Sequence, residues 1–194
     1  MEPDRIGVFI CHCGTNIAGS VNCQKVAEAV ARSDVALVRE HAYMCTGGQA
    51  QILSDIEEYG LDRIVVAACS PRIHEETFRT VCKTAGMNPY MMEMVNIREQ
   101  CSWCHAYESE PATRKAIDLV RMGIEKVKLN QPLVPIEVPM TKRALIIGGG
   151  ISGIEAALQL ADQGHEVILV ERGPTIGGKM AQLNKVFPDQ NCSP

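Results

Sequence analysis

The feature that most constrains this chain is an alternation. Short apolar runs at residues 5–10, 35–38, 63–68 and 90–97 take turns with helical patterns at 22–32, 47–59, 74–85 and 110–129. Val26, Ala27 and Val30 recur on one helical face, as do Ile52, Leu53 and Ile56. Gly60 and Gly86 stop the second and third helices. The run at 63–68, RIVVAA, is apolar enough to be covered on both faces. Strands alternating with helices imply right-handed crossovers and a parallel, doubly wound sheet. The expected fold class is therefore α/β, with a first domain over residues 1–130. Residues 131–142 hold three prolines and no helical period, which reads as an extended linker with room for one edge strand. A second α/β unit opens at residue 143 and runs to 194.

A parallel sheet puts the C-terminal ends of its strands on one edge, where open α/β sheets bind their ligands. Cysteines follow every strand of the first domain: Cys11 and Cys13, then Cys45, then Cys69, then Cys101 and Cys104. Residues far apart in sequence thus converge on one crevice. Composition enters here, because nine cysteines are many for 194 residues. No apolar run is long enough to span a membrane, and the first residues do not have the pattern of a signal peptide. A cytoplasmic chain keeps its thiols reduced, so the cysteines read as metal ligands or redox groups rather than disulfides. Four thiolates suit a [4Fe–4S] cluster. Zinc also accepts four, and Cys101-x-x-Cys104 has the spacing of a redox dithiol. Cys23 and Cys82, inside or beside helices, read as buried small hydrophobes. His12, His74 and His105 read as hydrogen-bonding neighbours of the site, Arg72 and Arg98 as balancing charges or solvated surface groups. Trp103 is expected to pack over the site. A net charge of −4 and an aromatic content of 4% argue against a nucleic-acid binder.

The second unit carries a phosphate-binding pattern in context. Gly148, Gly150 and Gly153 form G-x-G-x-x-G directly after the strand RALII, with Ile151 and Ser152 between the last two glycines. A helix follows, then the strand EVILV, then Glu171 and Arg172. One glycine makes the turn, the next lets backbone approach a pyrophosphate, and the third lets helix and strand pack closely. The phosphates would sit on the helix N-terminus. Glu171 is placed to accept hydrogen bonds from ribose hydroxyls. Gly177-Gly178, followed by Lys179, resembles the glycine pair of two-dinucleotide-binding-domain flavoproteins, which favours FAD over NAD(P). The expected FAD contacts are Gly148, Gly150, Ile151, Ser152, Gly153, Glu171, Arg172, Gly178 and Lys179. The stretch 143–194 is too short to enclose FAD, so a continuation or a second polypeptide is expected to complete the domain.

Several motifs then run in order: C-H-C-G-x-N-I-A-G at 11–19, Y-M-C at 43–45, V-V-A-A-C-S-P-R-x-H-E-x-T-F at 65–78, N-P-Y at 88–90, N-I-R-E-Q-C-S-W at 96–103, G-G-G-I-S-G-I-E-A-A at 148–157 and I-G-G-K-M at 176–180. Together they resemble the N-terminal part of the A-type subunits of heterodisulfide reductase, a family of methanogenic archaea. The resemblance implies an iron–sulfur flavoprotein with an N-terminal cluster domain and a thioredoxin-reductase-like FAD domain. It implies work with other heterodisulfide reductase subunits, a hydrogenase or formate dehydrogenase, and ferredoxin. It implies that FAD bifurcates electron pairs between ferredoxin and the coenzyme M–coenzyme B heterodisulfide. The positions that match are Cys11, Cys13, Cys45, Cys69 and Cys101 for metal, and Gly148, Gly150, Gly153 and Glu171 for FAD. Cys23, Cys82 and Cys104 fall outside the pattern. Five cysteines thus compete for four cluster positions, and Cys192 remains a further ligand choice. The family pattern continues beyond F-P-x-x-x-C at 187–192 with another cysteine. A selenocysteine codon read as a stop, or one polypeptide split over two genes, would end a chain as this one ends. The rival readings are a docking scaffold with structural zinc and a thiol-disulfide flavoenzyme resembling thioredoxin reductase.

Overall fold

The computed structural model describes residues 5–32, 34–183, 185, 187, 188 and 190. The chain divides into two compact units, Met1–Pro135 and Ile136–Pro194. In the first, strands β1 (Ile6–Cys11), β2 (Val35–His41), β3 (Arg63–Ala68) and β4 (Met92–Asn96) form one sheet in the order β2-β1-β3-β4. All pairings are parallel, with Val8 opposite Val38 and Val65, and Val66 opposite Met94. The doubly wound α/β class expected from the alternation is borne out. In this arrangement the strand order reverses between β1 and β3, which opens a crevice at the strand C-termini.

The helices are α1 (Thr15–Ala18), α2 (Cys23–Val30), α3 (Gly48–Tyr59), α4 (Pro71–Thr84) and α5 (Ser109–Lys128). Side chains alternate across β1, because successive Cβ atoms point to opposite faces. Ile6, Val8 and Ile10 pack with Val26 and Val30 of α2 and with Val120, Ile124 and Val127 of α5. Phe9 and Cys11 pack with Ile52 and Ile56 of α3 and with Phe78, Val81 and Cys82 of α4. All six residues of β1 are buried. Gly123 lets α5 lie close on the sheet: a Cβ there would come within 2.3 Å of Val95.

Several boundaries differ from those the sequence suggests, each for a local reason. Helix α4 starts at Pro71 rather than at residue 74, because Ser70 accepts from the Arg72 N–H at 3.4 Å and Pro71 fills the first helical position. Strand β4 stops at Asn96 rather than at 97, and a π-helical turn, Arg98–Ser102, follows it. Asn96 Oδ1 takes the N–H groups of Arg98, Glu99 and Gln100 at 3.2, 3.0 and 3.4 Å, which ends the strand and starts the turn. No strand lies between α5 and residue 143, so the linker supplies no edge strand. Asn88 and Asn130 tie its start down instead. Asn88 donates to Leu133 O at 2.9 Å, and Asn130 to Tyr90 O and Met92 O at 3.2 and 3.3 Å.

The second unit has β5 (Arg143–Ile147), α6 (Ile151–Asp162) and β6 (Glu166–Val170). The two strands pair in parallel, Leu145 opposite Ile168. Helix α6 begins at Ile151, inside the glycine fingerprint, with Gly150 as N-cap. Among the described residues no helix is long and apolar enough to cross a membrane.

Candidate functional site

Strand β1 delivers Cys11 at its last position and Cys13 two residues on. Cys13 adopts φ +48 and Gly14 φ +55. A non-glycine residue in the left-handed region is strained, and such strain clusters at functional sites. The turn is locked from outside. Asn16 donates to Cys13 O at 3.2 Å, Ser102 donates to Asn16 O at 2.6 Å, and Ser20 donates to Ser102 O at 3.1 Å. The loop after β1 is thereby bolted to the π-helical turn after β4.

The four strand ends then assort their thiols. Cys11 accepts from the Met44 N–H at 3.4 Å, in the loop after β2 that also carries Cys45. Burial pushes the Cys11 thiol up, partly offset by that N–H, and nearby Cys13 and Cys45 push it further. Burial likewise pushes Cys69 up to about 11; Arg98 pulls it down, while Glu99, Cys13 and Cys45 push it up. Cys11 and Cys13 thus follow the end of β1, Cys45 the end of β2 and Cys69 the end of β3, three neighbouring strands of the sheet. Cys11 and Cys69 lie in the α3/α4 core, with Cys45 packed on it, and Cys13 touches both cores.

The structure does not bring Cys101 to these four. It is fully buried on the opposite face, in the core that α2 and α5 cover, and its thiol donates to Ala112 O at 3.2 Å. Burial raises its pKa, and the charged neighbours it senses are Lys115 and Cys104. The reason is the π-helical turn, which carries the chain across the strand end to the α5 side. Cys104 is exposed and donates to Glu99 O at 3.1 Å. Cys23 and Cys82 are buried, and burial pushes each up to about 12, as expected of inert core thiols. Cys192 lies outside the described residues. Among those described, no three His, Cys, Asp or Glu side chains stand close enough to hold a single metal ion.

Of the histidines, His12 pairs with Glu40 at 3.0 Å and His105 with Glu108 at 3.1 Å. Arg98 is the arginine that reaches the thiols: its Nη1 donates to Cys13 Sγ at 3.2 Å. Residue type alone does not separate it from Arg72. Its position two residues after a strand-ending Asn, within N-I-R-E-Q, is the signal that could.

In the second unit each glycine of the fingerprint has a separate physical task. Gly148 turns the chain at φ +111. A Cβ on Gly153 would stand 1.9 Å from Gly148 O, so that position admits no side chain. A Cβ on Gly150 would meet nothing within 4 Å; the space before the first turn of α6 is open to a ligand. Helix α6 has no side-chain cap, which leaves its first N–H groups available. Gly177 and Gly178, both at positive φ, fold back onto this loop. Gly177 donates to Gly149 O at 2.6 Å, and Gly150 and Gly177 form a parallel bridge. Gly148, Gly150, Ile151, Ser152, Gly153 and Lys179 line one cavity. Glu171 accepts from Gly149 N and Gly173 N, both at 2.7 Å, and these two N–H groups hold its carboxyl below the usual range. Glu171, Arg172 and Gly178, also expected among the FAD contacts, do not line the cavity.

Residues 144–191 match the FAD dependent oxidoreductase family. The whole chain is similar to the second A-type iron-sulfur subunit of CoB–CoM heterodisulfide reductase from Methanopyrus kandleri, with 57% identity over 99% of the chain and 30% of that protein. It is 55% identical to the A-type subunit of the ferredoxin/F(420)H(2)-dependent CoB-CoM heterodisulfide reductase of Methanosarcina acetivorans, over 97% of the chain and 24% of that protein. It is 48% identical to the A-type subunit of the H(2):CoB-CoM heterodisulfide,ferredoxin reductase of Methanothermobacter thermautotrophicus, over 100% of the chain and 30% of that protein. The chain therefore spans less than a third of the length of these relatives. The resemblance to A-type heterodisulfide reductase subunits that the motifs carry is borne out.

Proposed function

Because the chain is similar along nearly its whole length to the A-type subunits of heterodisulfide reductase, we propose that it is an electron-transfer segment of such a protein. Its first unit holds a [4Fe–4S] cluster on Cys11, Cys13, Cys45 and Cys69, and its second opens an FAD site. The observation that carries this reading is the placement of the thiols: Cys11, Cys13, Cys45 and Cys69 follow the ends of three neighbouring strands, and Cys101 is turned away onto Ala112 O. A cubane takes one thiolate on each of four irons, so its ligands enclose a larger cage than those of one zinc ion. Four cysteines that follow three neighbouring strand ends suit that cage.

When bound, a cluster supplies one-electron chemistry at a potential set by its ligands and surroundings. The chain's own part is to fix four sulfurs, to donate N–H groups to two of them, and to keep the site largely dry. Burial favours the protonated thiols of Cys11 and Cys69, so holding a metal there would require those protons to leave. FAD, when bound, exchanges electron pairs for single electrons. Here the open first turn of α6 would take the pyrophosphate, with Lys179 lining the same cavity and Glu171 facing the ribose. Leu145, Ile147, Ile168 and Val170 are left open on the sheet. A continuation or a second polypeptide covers them and encloses the flavin. In the whole assembly the segment serves reduction of the coenzyme M–coenzyme B heterodisulfide coupled to ferredoxin by flavin-based bifurcation. Other reductase subunits and a hydrogenase or formate dehydrogenase are its partners, in a reducing cytoplasm.

Anaerobic purification with iron, acid-labile sulfide, zinc and flavin quantified tests this. The reading requires equal iron and sulfide and a broad absorbance band near 400 nm. Stoichiometric zinc without sulfide would establish the scaffold reading instead.

A further inference from the structure

We propose that Arg98 is the residue that sets the reduction potential of the group held by Cys11, Cys13, Cys45 and Cys69, by donating a charged hydrogen bond to the Cys13 sulfur. This rests on the four-thiol reading above and goes beyond it to a positioning residue.

The guanidinium is divided between two jobs. Nη1 faces Cys13 Sγ at 3.2 Å, while Nε and Nη2 both donate to Glu99 Oε1, at 3.2 and 2.8 Å. The Trp103 ring covers it, with Arg98 Cζ 4.9 Å from the ring centroid. The Arg98 side chain is only 16% exposed, whereas Trp103 is 54% exposed, so the indole stands between the cation and water. A cation so enclosed is screened much less than a surface one.

Glu99 completes the device. Its Oε2 is buried and meets no donor in hydrogen-bond geometry. It fixes the guanidinium and offsets part of its charge. The three Asn96 contacts that start the π-helical turn place both residues at once. Hydrogen bonds to sulfur and local charge are the levers by which a protein tunes such a centre. Adding an electron makes the site more negative, and a cation at the ligand sulfur stabilises that form.

The experiment is a redox titration of the anaerobically purified full chain, followed by electron paramagnetic resonance, in wild type, Arg98→Gln, Arg98→Lys and Glu99→Gln. Arg98→Gln should move the midpoint to more negative potential at unchanged iron and sulfide content, and Arg98→Lys should restore part of the shift. Glu99→Gln should move it the opposite way, to more positive potential. Arg98→Gln and Glu99→Gln midpoints equal to wild type would overturn the proposal while leaving the cluster reading intact. If Arg98→Gln loses its iron, the sign of the Glu99→Gln shift decides: positive supports, zero or negative overturns. A wild-type chain without iron and sulfide would overturn the cluster reading, and this inference with it.

Discussion

In the first unit every residue of β1 is buried; in the second, β5, apolar after Arg143, buries none. Both strands precede a turn with positive φ, and both pair in parallel. The difference lies in what surrounds them. Strand β1 has strands on both sides and helices on both faces, whereas β5 has one strand and one helix. Local pattern makes a strand, but only a second layer makes a core. The consequence for chemistry is direct. The thiols of the first unit are held by packing, while the nucleotide loop of the second is shaped by backbone contacts among Gly148, Gly149, Gly150, Gly153 and Gly177.

Core truncation separates the two units most sharply. Phe9→Ala should cost about 3–5 kcal/mol of unfolding free energy, the range for a fully buried aromatic. Leu145→Ala, at 62% exposure, should stay within about 0.5 kcal/mol. Trp103 is the only tryptophan, so its fluorescence during denaturant unfolding reports on the first unit. An effect of Leu145→Ala as large as that of Phe9→Ala, read by far-ultraviolet circular dichroism, would mean that the second unit has a covered core and would break the comparison.

The next largest effect concerns the glycine loop. Gly153→Ala sets a Cβ against the Gly148 carbonyl, an atom of the backbone that cannot rotate away. Flavin affinity, measured with the covering polypeptide present, should fall more than about tenfold, or roughly 1.4 kcal/mol, with iron content unchanged. Loss of iron together with flavin would show that the units do not act independently.

A smaller effect is expected at the edge of the first unit. Asp34 accepts from Lys128 at 2.7 Å and from Arg32 at 3.1 Å, and the Lys128 hydrogen bond is the main cause that holds its carboxyl below the usual range. A carboxylate whose folded pKa lies below its unfolded one stabilises the fold above about pH 4 and loses that contribution as pH falls further. Both partners are partly solvated, so the contribution is about 0.5 kcal/mol. Lys128→Met should flatten the acid limb of stability against pH by that amount. An unchanged acid limb would contradict it.

Much of this is legible in the sequence, because it depends on local signals. Strands β3, β5 and β6 match their expected bounds, and the glycine fingerprint announces its own turn. The placement of cysteines at strand ends follows from parallel topology alone. What sequence reasoning misses depends on geometry beyond the strand. The π-helical turn after β4 has no periodic signature, yet it decides that Cys101 faces α5 and that Arg98 faces Cys13. The start of helix α4 is readable from Ser70-Pro71, a capping pair that precedes the apolar period by which helices are usually found. The left-handed conformation of Cys13 is set by ties to Asn16 and Ser102 and has no mark in composition.

The central claim is that four thiols, and not five, hold the cluster. It is tested most directly by iron and acid-labile sulfide content after anaerobic purification of single Ala variants at Cys11, Cys13, Cys45, Cys69 and Cys101. The account predicts that each of the first four variants loses the cluster, while Cys101→Ala keeps wild-type iron and sulfide. A Cys101→Ala protein without iron, beside a variant at one of the other four that retains its full complement, would contradict it.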